Sequence, residues 1–151
     1  MNMKLIKNTE NISKEKITLF CLPFAGGGAS AYNQWAKKMQ GKVTVCPVQL
    51  PGREEQIMEK PYIDMSVMLD DLEEAVRKVV YGPYALWGHS MGGKISYELE
   101  KRLEQRDILQ NVCLFPAAGF LVFRSQIQSI IFRMKRLRGN WEDLKGRQKR
   151  Y

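Results

Sequence analysis

An α/β fold, with a mostly parallel sheet and helices on both faces, is the class this sequence predicts, on two observations. From Ile17 to Phe115, short unbroken apolar runs alternate with segments of helical period, and strands covered on both faces read as such runs. Their order is strand, helix, strand, helix, strand, helix, strand, the order of crossover units that lay parallel strands side by side.

Each element has its own signal. Ile17 to Pro23, ITLFCLP, is an apolar run of strand length. Ser30 to Met39 follows as a helix with Tyr32, Trp35, Ala36 and Met39 on one face. Val43 to Val48, VTVCPV, is a second strand, and Pro47 near its end predicts that the ladder stops there. Asp64 can cap a long helix whose Met68, Leu69, Leu72, Val76 and Val79 form a buried stripe. Its outer face is expected to be laced by Glu73 with Arg77 and Glu74 with Lys78, each acid four residues before its base. Tyr84 to Gly88 is a third strand, Ile95, Leu99 and Leu103 mark the core side of a third helix, and Asn111 to Phe115 is a fourth strand. Beyond Pro116 the pattern deteriorates into an apolar stretch without period and then a basic, weakly helical one. The predicted organisation is an N-terminal extension over 1–16, a partial core over 17–116 and an atypical basic tail over 117–151.

Composition narrows the classes further. A chain of 151 residues with 44% hydrophobic and 26% charged side chains suits one folded core and excludes collagen-like and disordered classes. The net charge of +8 is uneven, because residues 111–151 hold 9 basic and 2 acidic side chains against 15 and 14 before them. Within that tail, Arg133 to Arg150 is weighed as a nucleic-acid or anionic surface, but the aromatic interleaving of single-strand binders is nearly absent, so a solvated lid helix or out-of-frame translation is favoured. Met1 to Lys16 holds no apolar run of seven or more and is not expected to be a secretory signal, and Val112 to Phe123, about a dozen residues, falls short of the ~20 that cross a bilayer. A cytoplasmic protein with no membrane span is the expectation. Cys21, Cys46 and Cys113 each sit in an apolar run and are expected to be buried thiols, with no disulfide and no metal site. His89 is the one histidine.

The segment that carries chemistry is Tyr84 to Ser96, YALWGHSMGGKIS, where a strand runs into Gly88-His89-Ser90-Met91-Gly92 and a helix follows. This is the pattern of a nucleophile elbow, G-x-S-x-G, in the strand-turn-helix setting it requires. Ser90 would sit on a strained turn with its hydroxyl above the sheet, and glycines at 88 and 92 would avoid side-chain collisions. The helix after Ser90 would turn its free N–H groups and positive end toward a developing oxyanion. A second glycine-rich loop, Pro23-Phe24-Ala25-Gly26-Gly27-Gly28, follows the first strand. Its position is that of the loop giving the other oxyanion donor in serine hydrolases, so Ala25 and Met91 are the candidate donors.

Both loops also admit nucleotide-binding readings. Gly26, Gly28 and Ala31 fit a dinucleotide fingerprint, but Gln49 stands where an acid is needed. Gly88 through Lys94 fits a phosphate-binding pattern, but Ile95 stands where a magnesium-binding hydroxyl is needed.

Three blocks, LFCLPFAGGGASAY, PVQLPGREEQI and YALWGHSMGGKISYEL, resemble in order and spacing the type II thioesterases of nonribosomal peptide and polyketide synthesis, over about Ile17 to Leu103. These enzymes belong to the α/β-hydrolase superfamily, so the resemblance implies a truncated α/β-hydrolase fold. It implies hydrolysis of acyl or aminoacyl groups from the phosphopantetheine of an acyl or peptidyl carrier domain, the expected partner. It also implies Ser90 as nucleophile and Ala25 with Met91 as the oxyanion hole. Attack by Ser90, departure of the thiol and hydrolysis of the acyl-enzyme call for no cofactor. Other α/β-hydrolase esterases, and a carrier-docking fragment without turnover, are the competing readings.

The sequence departs from that family in one respect that matters. The superfamily's triad runs Ser, acid, His along the chain, yet no histidine follows Ser90. His89 is the variable residue of the elbow and is expected to point away from the Ser90 hydroxyl. Glu98, Glu100, Glu104 and Asp107 come too early for the triad acid, and Glu142 and Asp143 fall in the tail. Likeness to the family is lost at Pro116 to Phe120 and regained at Arg133 to Leu144, which resembles its lid region, a pattern expected of compensating reading-frame shifts. The 151 residues alone are therefore expected to be nearly inactive.

Overall fold

Among the described residues, four strands, β1 (Ile17–Leu22), β2 (Val43–Pro47), β3 (Tyr84–Gly88) and β4 (Asn111–Leu114), pair in parallel in the order β2-β1-β3-β4. They are seen in a computed structural model that describes residues 4–104 and 111–114. Phe115, the segment 117–151 with Glu142 and Asp143, and Asp107 lie outside the described residues.

The strand order places the helices. α1 (Asn33–Lys38) follows β1, whereas α2 (Met65–Val79) and α3 (Met91–Glu104) follow β2 and β3. Because successive strand residues face opposite ways, β1 divides its side chains between two cores. Phe20 and Leu22 pack with Leu69, Leu72 and Val76 of α2 and with Ile95, Leu99 and Leu103 of α3. Leu19 and Cys21 pack with Tyr32, Met39, Trp35 and Ala36. The sheet is thus covered on both faces, as its unbroken apolar strands require.

α2 begins where its cap predicts. The Asp64 carboxylate accepts from the Ser66 N–H at 2.6 Å and the Val67 N–H at 3.3 Å, a cap worth about 1 kcal/mol. Glu73 and Arg77 pair at 2.9 Å, but Glu73 is buried, so this pair does not lie on a solvated face as the spacing suggests. Glu74 and Lys78 do pair in solvent. The helix expected over Ser30–Met39 divides into a 3₁₀ turn at Ala29–Tyr32 and the short α1.

Pro47 ends the parallel strand, yet pairing continues past it. Val48 N–H donates to Cys21 O at 2.9 Å, and Val48 forms an antiparallel bridge with Ile6. Leu5, Ile6 and Ile12 are buried in the core shared with α2 and α3, so residues ahead of β1 strap the open edge of β2. Exposed sheet edges invite further pairing, and a strap of this kind covers one.

Candidate active site

Leu22 and Gly88 are register partners at the carboxyl ends of β1 and β3. The chain therefore leaves both strands at the same end of the sheet, between β1 and β3, where the direction of crossover reverses because β2 lies outside β1 and β4 outside β3. Open α/β sheets bind ligands outside the strand ends at such a switch point. The two glycine-bearing loops singled out in the sequence meet there.

After β3 the chain turns sharply into α3. Ser90 has φ 55°, a left-handed conformation that non-glycine residues rarely adopt, and it is exposed along with His89. Gly92 N–H donates to His89 O at 3.0 Å, and Gly93 and Lys94 N–H donate to Ser90 O at 3.0 and 3.2 Å. Met91 is the first helical residue, so its N–H precedes the helical ladder. The flanking glycines are required by close approach. A Cβ on Gly88 would stand 2.0 Å from Gly92 O, and one on Gly92 would stand 2.5 Å from Leu22 O. Gly88 thus lets the helix fold back over the strand end, while Gly92 lets it press against the end of β1.

After β1, Phe24 to Gly27 forms a turn in which Gly27 N–H donates to Phe24 O at 2.9 Å. Gly26 carries φ 78°, as a turn of this kind demands of its third residue. Ala25 occupies the second position. Tyr32 supports the strand end by donating its hydroxyl to Leu22 O at 2.8 Å. Burial first, with Cys21 adding, raises the Tyr32 phenol well above its usual range, which keeps it a donor.

The block PVQLPGREEQI, to which the sequence reading gives no site role, supplies the supports of this loop. Gln49 is fully buried. Its carbonyl oxygen accepts from Ala29 N–H at 3.0 Å, and its amide donates to Leu50 O at 3.1 Å and Arg53 O at 2.9 Å. Arg53 Nη1 donates to Phe24 O at 3.2 Å and Gly27 O at 2.8 Å. Glu54, itself at φ 46°, accepts from Ser30 N–H at 3.2 Å and from the Ser30 hydroxyl. A signal for Gln49 existed, since a glutamine between Val48 and Leu50 at the end of an apolar strand is a polar group headed for the core. The same bonds close the dinucleotide reading, because the Gln49 amide is spent on the protein's own backbone.

Among the described residues, no three His, Cys, Asp or Glu side chains are grouped to hold a metal ion, and no helix is long and apolar enough to cross a membrane. Cys21 and Cys46 are buried free thiols. Cys113 lies on β4, whose side chains are not described.

A parallel sheet bearing a strand-turn-helix G-x-S-x-G bend beside a glycine-rich loop defines a protein of the α/β-hydrolase type. More narrowly, the chain belongs to the thioesterase domain family, whose model matches residues 17–117. It is 38% identical over 112 residues to the gramicidin S biosynthesis protein GrsT of Aneurinibacillus migulanus, covering 74% of this chain and 44% of that protein. To the protein named linear gramicidin dehydrogenase LgrE, from Brevibacillus parabrevis, it is 43% identical over 94 residues, covering 62% and 36%. The type II thioesterase BorB from the borrelidin biosynthetic cluster superposes with a TM-score of 0.69 at 34% identity, covering 74% of this chain and 46% of BorB. The chain therefore spans less than half the length of each of these relatives. The resemblance to type II thioesterases read from the three blocks is borne out.

Proposed function

We propose that this chain carries the nucleophile and oxyanion hole of a thioesterase that releases acyl or aminoacyl groups from carrier-bound phosphopantetheine. The observation that carries the reading is the strained, exposed Ser90, set between two glycines that tolerate no side chain. In this reading the Ser90 hydroxyl attacks the thioester carbonyl, and the oxyanion is held by the Ala25 and Met91 N–H groups. The tetrahedral intermediate expels the pantetheine thiol, and water then hydrolyses the seryl ester to free acid and Ser90. A thiol leaves readily, so the chemistry asks less of a general acid than amide cleavage does.

The polypeptide of 151 residues has no histidine besides His89. Loss of the base in a serine hydrolase costs ~10⁶ in turnover and leaves ~10³–10⁴ over water from the oxyanion hole and binding. Slow, Ser90-dependent release is accordingly the expectation for this polypeptide by itself, and an acyl or peptidyl carrier domain is the expected partner. Incubation with an acyl-pantetheine thioester, read by thiol release and by the intact mass of the protein, tests this. Slow acylation that vanishes in Ser90→Ala supports the reading, and release unaffected by Ser90→Ala overturns it. Turnover at ordinary enzyme rates would overturn the expectation of low activity. Carrier capture without any acylation would favour a docking role.

A further inference from the structure

We propose that Arg53 is a positioning residue that fixes the direction of the Ala25 N–H, and so decides whether the oxyanion hole has its second donor. The proposal rests on the reading of Ser90 and Ala25 given above. A peptide unit is planar and trans, so the carbonyl of one residue and the N–H of the next point in opposite directions. Phe24 O and Ala25 N–H belong to the same unit. Anything that holds Phe24 O therefore aims Ala25 N–H the other way.

Two donors hold that oxygen. Gly27 N–H reaches it at 2.9 Å from within the turn, and Arg53 Nη1 reaches it at 3.2 Å from a loop 29 residues away in the sequence. The same nitrogen also donates to Gly27 O at 2.8 Å. One guanidinium nitrogen with two protons thus ties the first and last residues of the Phe24–Gly27 turn. A flip of the Phe24–Ala25 unit would break the Arg53 and Gly27 bonds to Phe24 O together. Bonds from a charged donor are the stronger kind.

Arg53 is itself held in place. Its carbonyl accepts from Gln49 at 2.9 Å, and Gln49 is anchored through its own N–H to Leu5 O at 2.8 Å. The neighbouring Glu54 is fastened to Ser30 on the far side of the glycine loop. The bonds from Arg53 and Glu54 to Phe24, Gly27 and Ser30 span the two sequence blocks, so neither block alone sets the Ala25 amide.

Two measurements on the 151-residue chain test this. The first is the rate at which a fluorophosphonate labels Ser90, resolved into affinity and maximal rate by intact mass. The second is hydrogen exchange at the Gly27 amide by NMR. Arg53→Ala is expected to lower the maximal labelling rate about tenfold to a hundredfold, somewhat less than outright loss of a donor, with affinity unchanged. It is also expected to speed Gly27 exchange, and guanidinium ion at non-denaturing concentration should restore part of the labelling. Arg53→Lys, which keeps the charge but not the planar fork, should fall between and serves where Arg53→Ala does not fold. Labelling at the wild-type rate overturns the proposal, as does slowed labelling with unchanged Gly27 exchange and no rescue. If wild type and Ser90→Ala alike resist labelling over a time course long enough to register a serine slowed ~10⁶-fold, the serine reading fails. Gly27 exchange then decides Arg53 alone, faster exchange in Arg53→Ala supporting its hold on the turn and unchanged exchange overturning it.

Discussion

The α-carbon of Gly92 lies against the carbonyl of Leu22, so that a Cβ built there would meet its oxygen at 2.5 Å. This contact sets the first turn of α3 directly on the end of β1, where the glycine-rich loop starts. The distance between the two candidate oxyanion donors is thereby governed by a glycine that belongs to neither of them. Gly92→Ala must push backbone against backbone, with no flexible side chain to yield. A loss of about 1–3 kcal/mol is expected, in the range of overpacked interiors, and urea unfolding measures it. Ser90 labelling should fall in protein that remains folded, and a variant as stable and reactive as wild type would refute the role given to this contact.

Ser90 is predicted to be a site of stored strain. Its φ of 55° is one that glycine adopts freely, and a non-glycine residue held there costs about 1–3 kcal/mol. Ser90→Gly and Ser90→Ala both remove the hydroxyl, but only the first relieves the backbone. Ser90→Gly is expected to exceed Ser90→Ala in stability by about 1 kcal/mol after glycine's greater entropy loss, while neither variant takes a label. Equal urea midpoints for the two would show that the turn is unstrained.

Gln49 offers a test in which pH reports the direction of hydrogen bonds. Its side chain accepts one bond and donates two, all to backbone groups. Gln49→Leu leaves Ala29 N–H and two carbonyls without that partner, and a loss of about 1–3 kcal/mol follows for a buried donor left unpaired. In Gln49→Glu the new carboxylate would face the Leu50 and Arg53 carbonyls, which repel it. Burial and those oxygens raise its pKa above the unfolded value of about 4.3. Stability relative to wild type is then greatest below that value and falls as pH rises through the raised one. Urea midpoints at about pH 4 and pH 7 should show the deficit growing with pH, and a constant deficit would contradict the bonding pattern.

Legibility followed the range of the interactions. The elbow is local, so Gly88, Ser90 and Gly92 could be read from five consecutive residues, and the stripe of Ile95, Leu99 and Leu103 could be read from helical spacing. Gln49 and Arg53 act on residues 20 to 29 positions away, and nothing in their immediate neighbourhood announces a partner. Gln49 could be noticed as a polar residue at the end of an apolar strand and as the wrong residue for a nucleotide site, but neither signal names the groups it bonds. Leu5 and Ile6 were obscured differently, because Lys4 and Lys7 flank them and the strap is made by a single bridge and not a full strand. Glu73 shows the limit of spacing rules, since a separation of four identifies Arg77 but not the packing that buries the carboxylate. Tyr32 fell on its predicted face, yet the glycines before it start that segment as a 3₁₀ turn.

The buried thiols give the chain a predictable weakness in alkali. Burial holds the Cys21 thiol well above its usual value of 9.0, with Cys46 adding, and pushes Cys46 up to about 12, with Glu10 adding. In the unfolded chain both thiols ionise near the usual value. Between that value and the folded one the native state binds more protons than the unfolded state, so stability must fall as pH rises. The slope is about 1.4 kcal/mol per pH unit for each thiol. Below pH 9.0 this contribution is intact, and above it the urea midpoint should drop steadily. The double variant Cys21→Ala with Cys46→Ala should flatten that decline, whatever its stability at neutral pH. Iodoacetamide should spare both thiols in the native protein near neutrality and modify them once urea opens the core. An alkaline slope unchanged in the double variant would place the loss elsewhere, with the buried phenol of Tyr32 the next group to substitute.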